Sequence, residues 1–206
     1  MQTEMEKQPR YHHGDLRGAL IAAGRAILEE AGVPALSLRE AARRANVSHA
    51  APRHHFPSVR HFLSDCAADG FDEFTESLQA AASAHTVPTE AVVAMAAAYV
   101  QFAADNRAMF LLMFDRDILD ERTPALSAAG SRAHACLVAA VRAIDPALEI
   151  DELDYRVATV WSIVHGYANL MLKEKICQRP SNPMTPKDMA TRAMRDYLRG
   201  TMGAGS

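Results

Sequence analysis

Residues 37–58 constrain this chain most, because helix starts and helix stops follow one another there in strict order. Ser37-Leu38-Arg39-Glu40 has the form of a capping box. In such a box the serine hydroxyl takes the amide three residues on, and the glutamate reaches back to the serine amide. Leu38, Ala41, Ala42 and Ala45 then share one side of a helix over 38–45, with Arg39, Arg43 and Arg44 directed elsewhere. Asn46 suits a left-handed stop, and Val47 would close the core beneath the turn. Ser48 is placed to cap a second short helix over 49–55, which Phe56-Pro57 ends. Two short helices joined by a tight turn make a helix-turn-helix pattern.

The rest of the chain also reads as helix. Leu16, Leu20, Ala23, Ile27 and Ala31 recur at spacings of three and four, and Gly32 and Pro34 stop that helix. Ser58 opens a helix of about 20 residues carrying Phe62, Leu63, Cys66, Phe71 and Phe74. Further helices are predicted over 89–104, 106–114, 124–144, 150–176 and 186–200, separated by Asp/Asn- and Pro-containing breaks. No stretch alternates with period two long enough for a strand. The expected fold is all-α. A flexible arm (1–13) precedes a three-helix helix-turn-helix domain (14–60), followed by a larger helical domain (61–200) and a disordered tail (201–206).

Charge follows the same division. The net charge is -3, yet residues 1–60 hold nine Lys/Arg against six Asp/Glu, and the acidic excess lies in the remainder. A basic N-terminal part on an acidic body points to a polyanionic partner. No apolar run reaches the roughly 18 residues of a membrane span, and residues 1–13 lack the apolar stretch of a signal peptide. A cytoplasmic protein without membrane contact is expected. Cys66, Cys136 and Cys177 are far apart, which fits buried free thiols.

Several runs resemble the tetracycline-repressor (TetR) family. Tyr11-His12-His13-Gly14-Asp15-Leu16-Arg17 is similar to the opening of one branch, and residues 35–52 with His54-His55-Phe56 are similar to the family's helix-turn-helix. Farther on, Trp161-Ser162-Ile163-Val164-His165-Gly166 resembles the W-x3-H-G (WHG) pattern of one group of its C-terminal domains. The resemblance implies a C-terminal domain that senses a ligand and dimerises through its last two long helices, here 150–176 and 186–200. It departs from the family where Arg53 replaces an aromatic residue, Val59 a lysine and Asn46 a glycine. Arg53 supplies a charge for phosphate, whereas Val59 does not.

Candidate roles follow. A recognition helix meets base edges with its first residues, here Ser48, His49, Ala50 and Ala51. Ser and His hydrogen-bond bases, and alanine methyls meet a thymine methyl. Arg53, His54 and His55 fall where phosphates are expected, as do the helix N-terminus at Ser37 and its neighbour Arg39. Met95, Tyr99, Phe102, Met109, Phe110, Met113 and Phe114 form an apolar series, and Trp161, His165, Asn169 and Met171 another. Methionine adapts to irregular shapes. Tyr99, Phe102, Phe110, Met113, Trp161, His165 and Asn169 are therefore the candidate contacts to a largely apolar small-molecule effector, with plain core packing as the alternative. An enzyme lacks support: there is no nucleophile elbow, phosphate loop, His-Glu-x-x-His or paired cysteine. No catalytic residue, metal or cofactor is assigned. The reading is a homodimeric one-component regulator of a double-stranded DNA operator, with a sequence-tolerant architectural DNA binder as the other possibility.

Overall fold

The computed structural model describes residues 15–176 and 183–203, and every regular element among them is helical. The predicted arm, with His12 and His13, lies outside the described residues, as do Cys177 and residues 204–206.

Helix α1 (Leu16–Ala31) starts where Asp15 accepts the Gly18 amide at 2.8 Å and stops at Gly32, whose φ of 72° a side chain would resist. It buries Leu20, Gly24, Ile27 and Leu28, while Ala31 in the last turn stays exposed. Helix α2 (Leu38–Arg44) buries Ala41 and Ala42. Its end is a Schellman turn: Asn46 stands at φ 54°, its amide bonds to Arg43 O, and the Val47 amide bonds to Ala42 O. Val47 packs half-buried against the core, as the sequence predicts.

The expected helix over 49–55 is instead a single 3-10 turn, Ala51–His54. Its opening bond runs from the Ala51 amide to the Ser48 carbonyl, and no side chain caps it. Pro52 gives the reason. It lacks the amide that would close a first α-turn onto Ser48, so the segment tightens to i→i+3 bonding.

Ser58 does cap the next helix, accepting the His61 amide at 3.3 Å. That helix, α3 (Val59–Ser83), has 25 residues and is about 37 Å long. It is the axis of the molecule, touching α1 at one end and packing on α4 (Pro88–Asp105), α5 (Arg107–Met113) and α6 (Pro124–Ile144) farther along. Helix α4 also packs on α7 (Ile150–Leu172) and α8 (Pro186–Gly203). Helix α8 therefore runs past the predicted end at residue 200. One core links both predicted domains, from Leu20 and Phe56 through Phe62 and Cys66 to Phe74, Tyr99 and Val164. The first turn of α3 spans the predicted boundary at residue 60.

The two final helices bury more within the chain than dimerisation through apolar faces would suggest. Met194 and Leu198 of α8 and Val164 of α7 are core residues of this chain. The outward side of α8 is charged, carrying Lys187, Asp188, Arg192, Arg195, Asp196 and Arg199. The open apolar side chains are on α7: Tyr155 at 63% exposure, Leu170 at 45% and Trp161 at 43%.

Candidate functional site

Two sites lie at opposite ends of α3. At its N-terminal end, the turn at 48–55 stands on Pro52, which is buried, and on the edge-to-face pair Phe56–Phe62 with centroids 5.2 Å apart. Buried anchors at 52 and 56 leave Ser48, His49, Ala50, Arg53, His54 and His55 exposed, with Ala51 partly covered. The sequence-predicted contact residues between 48 and 55 thus share one solvent-facing turn, while Ser37 and Arg39 lie at the start of α2.

Ser37 Oγ accepts the Glu40 amide at 3.2 Å, the first half of the predicted capping box. The return bond is replaced. The Glu40 carboxylate holds Arg43 at 2.8 and 2.6 Å and Arg44 at 3.1 Å. These two guanidinium groups draw the Glu40 carboxyl down to about 2. Arg44 also grips Glu30 through two bonds of 2.7 Å. Arg43 and Arg44 are neutralised in this way. Arg39 and Arg53 are exposed and have no ion-pair partner among the described residues, so they are the charges this surface offers to an anion.

The second site is a cavity of about 970 Å³ walled by α3, α4, α6, α7 and the end of α5, and bordered by the α5–α6 loop. That size lies at the upper end of small-molecule pockets. Of the sequence-predicted contacts, Tyr99, Met113, Trp161 and His165 line it. Phe102, Phe110 and Asn169 do not. Phe102 packs edge-to-face on Phe74, Phe110 stacks behind Tyr99 and His165, and Asn169 donates to the His165 carbonyl at 3.0 Å within its own helix. The sequence reading missed the α3 wall (Phe71, Phe74, Leu78) and the α6 wall (Leu126, Ser127, Gly130, Ser131, Ala133, His134, Leu137). A signal existed in α6: Leu126, Gly130, Ala133 and Leu137 fall on one helical face, and the small pair in the middle leaves volume instead of filling it.

Polar groups gather at one end of the cavity. Tyr99 Oη lies 2.7 Å from His165 Nδ1, and Trp161 Nε1 donates to Tyr99 Oη at 3.4 Å. Burial raises the Tyr99 phenol and lowers the His165 imidazole, so both are neutral near pH 7. Elsewhere on the lining, Arg116 and Glu121 pair through bonds of 2.5 and 2.9 Å.

The same loop touches the start of α3. Arg60 donates to the Asp117 carbonyl at 2.8 Å and to that of Leu119, and Ser64 Oγ accepts the Asp120 amide at 2.9 Å. Leu119 and Glu121 line the cavity, so the loop lies between the cavity and the turn that follows the exposed 48–55 segment. Ion pairs from Arg17 to Asp65 at 2.6 Å and from Arg25 to Asp69 at 2.7 Å brace α1 along α3.

Comparison with known proteins adds a further observation. Residues 92–197 match the family profile described as the tetracyclin repressor-like C-terminal domain. No curated protein matches the sequence. A solved protein of unknown function from Rhodococcus sp. RHA1 is 30% identical and superposes with a TM-score of 0.78, covering 94% of this chain and 98% of that one. PfmR from Thermus thermophilus, a TetR family transcriptional regulator, is 20% identical with a TM-score of 0.60, over 87% of this chain and 97% of its own. RolR, solved in complex with resorcinol, is 18% identical with a TM-score of 0.62, over 88% of this chain and 86% of its own. With PfmR and RolR the likeness is one of fold.

Proposed function

Because the chain belongs to the tetracycline-repressor-like family of transcription regulators, we propose that it is a one-component repressor that binds a near-palindromic operator as a homodimer and is released by a largely apolar small molecule. The observation that carries this reading is α3: one unbroken helix begins directly after the exposed 48–55 turn and forms a wall of the cavity.

On this reading Ser48, His49, Ala50 and Ala51 meet base edges in the major groove, and Arg39, Arg53, His54, His55 and the capped start of α2 at Ser37 meet phosphates. Tyr99, Met113, Trp161 and His165 contact the effector, with the α3 and α6 walls. Phe102, Phe110 and Asn169 support that lining from behind. The exposed apolar residues of α7 support dimerisation, since the side bearing Tyr155 and Leu170, away from the cavity-lining Trp161, gains by being covered. An effector acts through unequal affinity for two arrangements of the dimer. Here it bears on the α5–α6 loop, and the loop's bonds to Arg60 and Ser64 pass a displacement to the start of α3.

Selection from random duplex DNA tests the reading. The purified chain should enrich an inverted repeat with half-sites about one helical turn apart, roughly 34–36 Å, or somewhat farther if the DNA is deformed. Enrichment of no sequence over competitor would favour a sequence-tolerant binder. Enrichment of a single asymmetric half-site would refute the symmetric dimer.

A further inference from the structure

We propose that the cavity selects an uncharged ligand whose apolar body carries one hydrogen-bond acceptor, placed against Nε2–H of His165. This deepens, and rests on, the reading of the cavity as the effector site.

The argument starts from proton bookkeeping in the Trp161–Tyr99–His165 cluster. Indole nitrogen only donates, so the Trp161 contact occupies Tyr99 Oη as acceptor. If the phenol donates to His165 Nδ1, 2.7 Å away, Tyr99 spends both its proton and its lone pair within the cluster, whereas the reverse arrangement leaves the buried phenol proton without a partner among the described residues. A neutral imidazole that accepts at Nδ1 carries its proton on Nε2. The cluster therefore sets the tautomer. Nε2 has no partner among the described residues, and it is not among the enclosed polar atoms left without one, so solvent reaches it. Since the ring borders the cavity, it gives the cavity a donor whose polarity the cluster fixes, unlike the Ser127, Ser131 and Ser162 hydroxyls on the lining, which rotate to donate or accept.

Charge gives the second half. The charged side chains on the lining, Arg116 and Glu121, satisfy one another through two bonds. Apart from the His134 imidazole on the α6 wall, the lining residues offer no unpaired cation to offset a carboxylate, and they offer no unpaired anion to offset an ammonium. Around the donor the walls are rings: Phe114 has its centroid 4.7 Å from that of His165, and Trp161 lies 6.1 Å away. A flat apolar body bearing a ketone, ester or ether oxygen matches this environment.

Three probes of one shape test the proposal by equilibrium dialysis against the full-length protein: 2-acetonaphthone, 2-isopropenylnaphthalene and 2-naphthoate. The ketone and the alkene differ only by C=O against C=CH2, so their affinity ratio cancels most of the shared burial. In His165→Phe, which keeps a ring, the ketone-to-alkene ratio should fall about three- to tenfold, the worth of one neutral hydrogen bond. Tyr99→Phe keeps its ring as well and frees the tautomer, so the ratio should fall there too, and this variant serves if His165→Phe does not fold. Naphthoate should bind more weakly than the ketone. A ratio unchanged in both variants, or naphthoate binding tightest, would overturn this inference and leave the effector site standing. Failure of all three probes to bind would overturn both.

Discussion

At the 48–55 turn, neighbouring side chains carry different information. His49 is an exposed side chain that the proposed reading sets against base edges, and Arg53 is an exposed charge beyond the buried Pro52, with no ion-pair partner among the described residues. His49→Ala should relax preference at particular operator positions, by roughly 1–3 kcal/mol. Arg53→Ala should weaken all sequences alike and lower the slope of log affinity against log salt by about one. Titration over a salt series, with operator and scrambled duplexes, separates the two; an Arg53→Ala variant that altered preference and kept its salt slope would refute the assignment. His165 makes a prediction about pH. Burial holds its folded value below the ordinary 6.5, so on acidification the unfolded chain takes up the proton first. Stability contributed by the neutral ring is present above 6.5 and is lost as pH falls through that value. Urea midpoints between pH 7 and pH 5 should therefore fall less steeply in His165→Phe than in the native chain. An equal slope would mean that the ring is not held neutral by burial.

Among elements, α1 and α3 approach closely. A Cβ on Gly24 would lie 2.8 Å from both Cys66 Sγ and Phe62 Cζ, and those two side chains are fully buried. Gly130 in α6 has open space around it, with nothing within 4 Å of an added Cβ. Gly24→Val should therefore cost about 1–3 kcal/mol through overpacking, whereas Gly130→Ala should stabilise by about 0.5–1 kcal/mol through helix propensity. Chemical denaturation of the two variants checks the opposite signs, and a neutral Gly24→Val would show that α1 and α3 separate easily. Helix ends show what was legible at this scale. Asn46 announces the left-handed stop of α2, because asparagine tolerates that geometry. The end of α7 uses the same Schellman turn, with Glu174 at φ 55° and the Lys175 amide on Leu170 O. Glutamate gives no such signal, and the sequence reading ran the helix on to residue 176. The 3-10 turn at 51–54 reads as a full helix from the sequence because Ser48 offers a cap; the missing amide of Pro52 decides otherwise.

For the whole molecule, the exposed side of α7 makes the decisive prediction. Tyr155 and Leu170 are open to solvent in the single chain. If they close a two-fold interface, Leu170→Arg should shift the protein from dimer to monomer in sedimentation equilibrium at micromolar concentration, with helix content unchanged. Operator affinity should fall with it, since two reading heads then bind independently. A native chain that sediments as a monomer would refute the dimer outright. The all-helical class, the helix-turn-helix and most helix bounds are legible in the residue order alone, because caps, glycine and proline stops and a 3.6-residue apolar period are local properties. The outward position of His49 and Arg53 is legible there too, since the order of a short motif sets which residues face solvent. Which apolar side chains fill the core and which surround space depends instead on how the helices pack. Tyr99 and Phe102 stand on the same helix, yet one borders the cavity and the other packs on Phe74. Met194 and Leu198 look available to a partner and are spent on their own chain's core. Period and composition report that a residue leaves water, but the neighbour it meets depends on how helices distant in sequence cross.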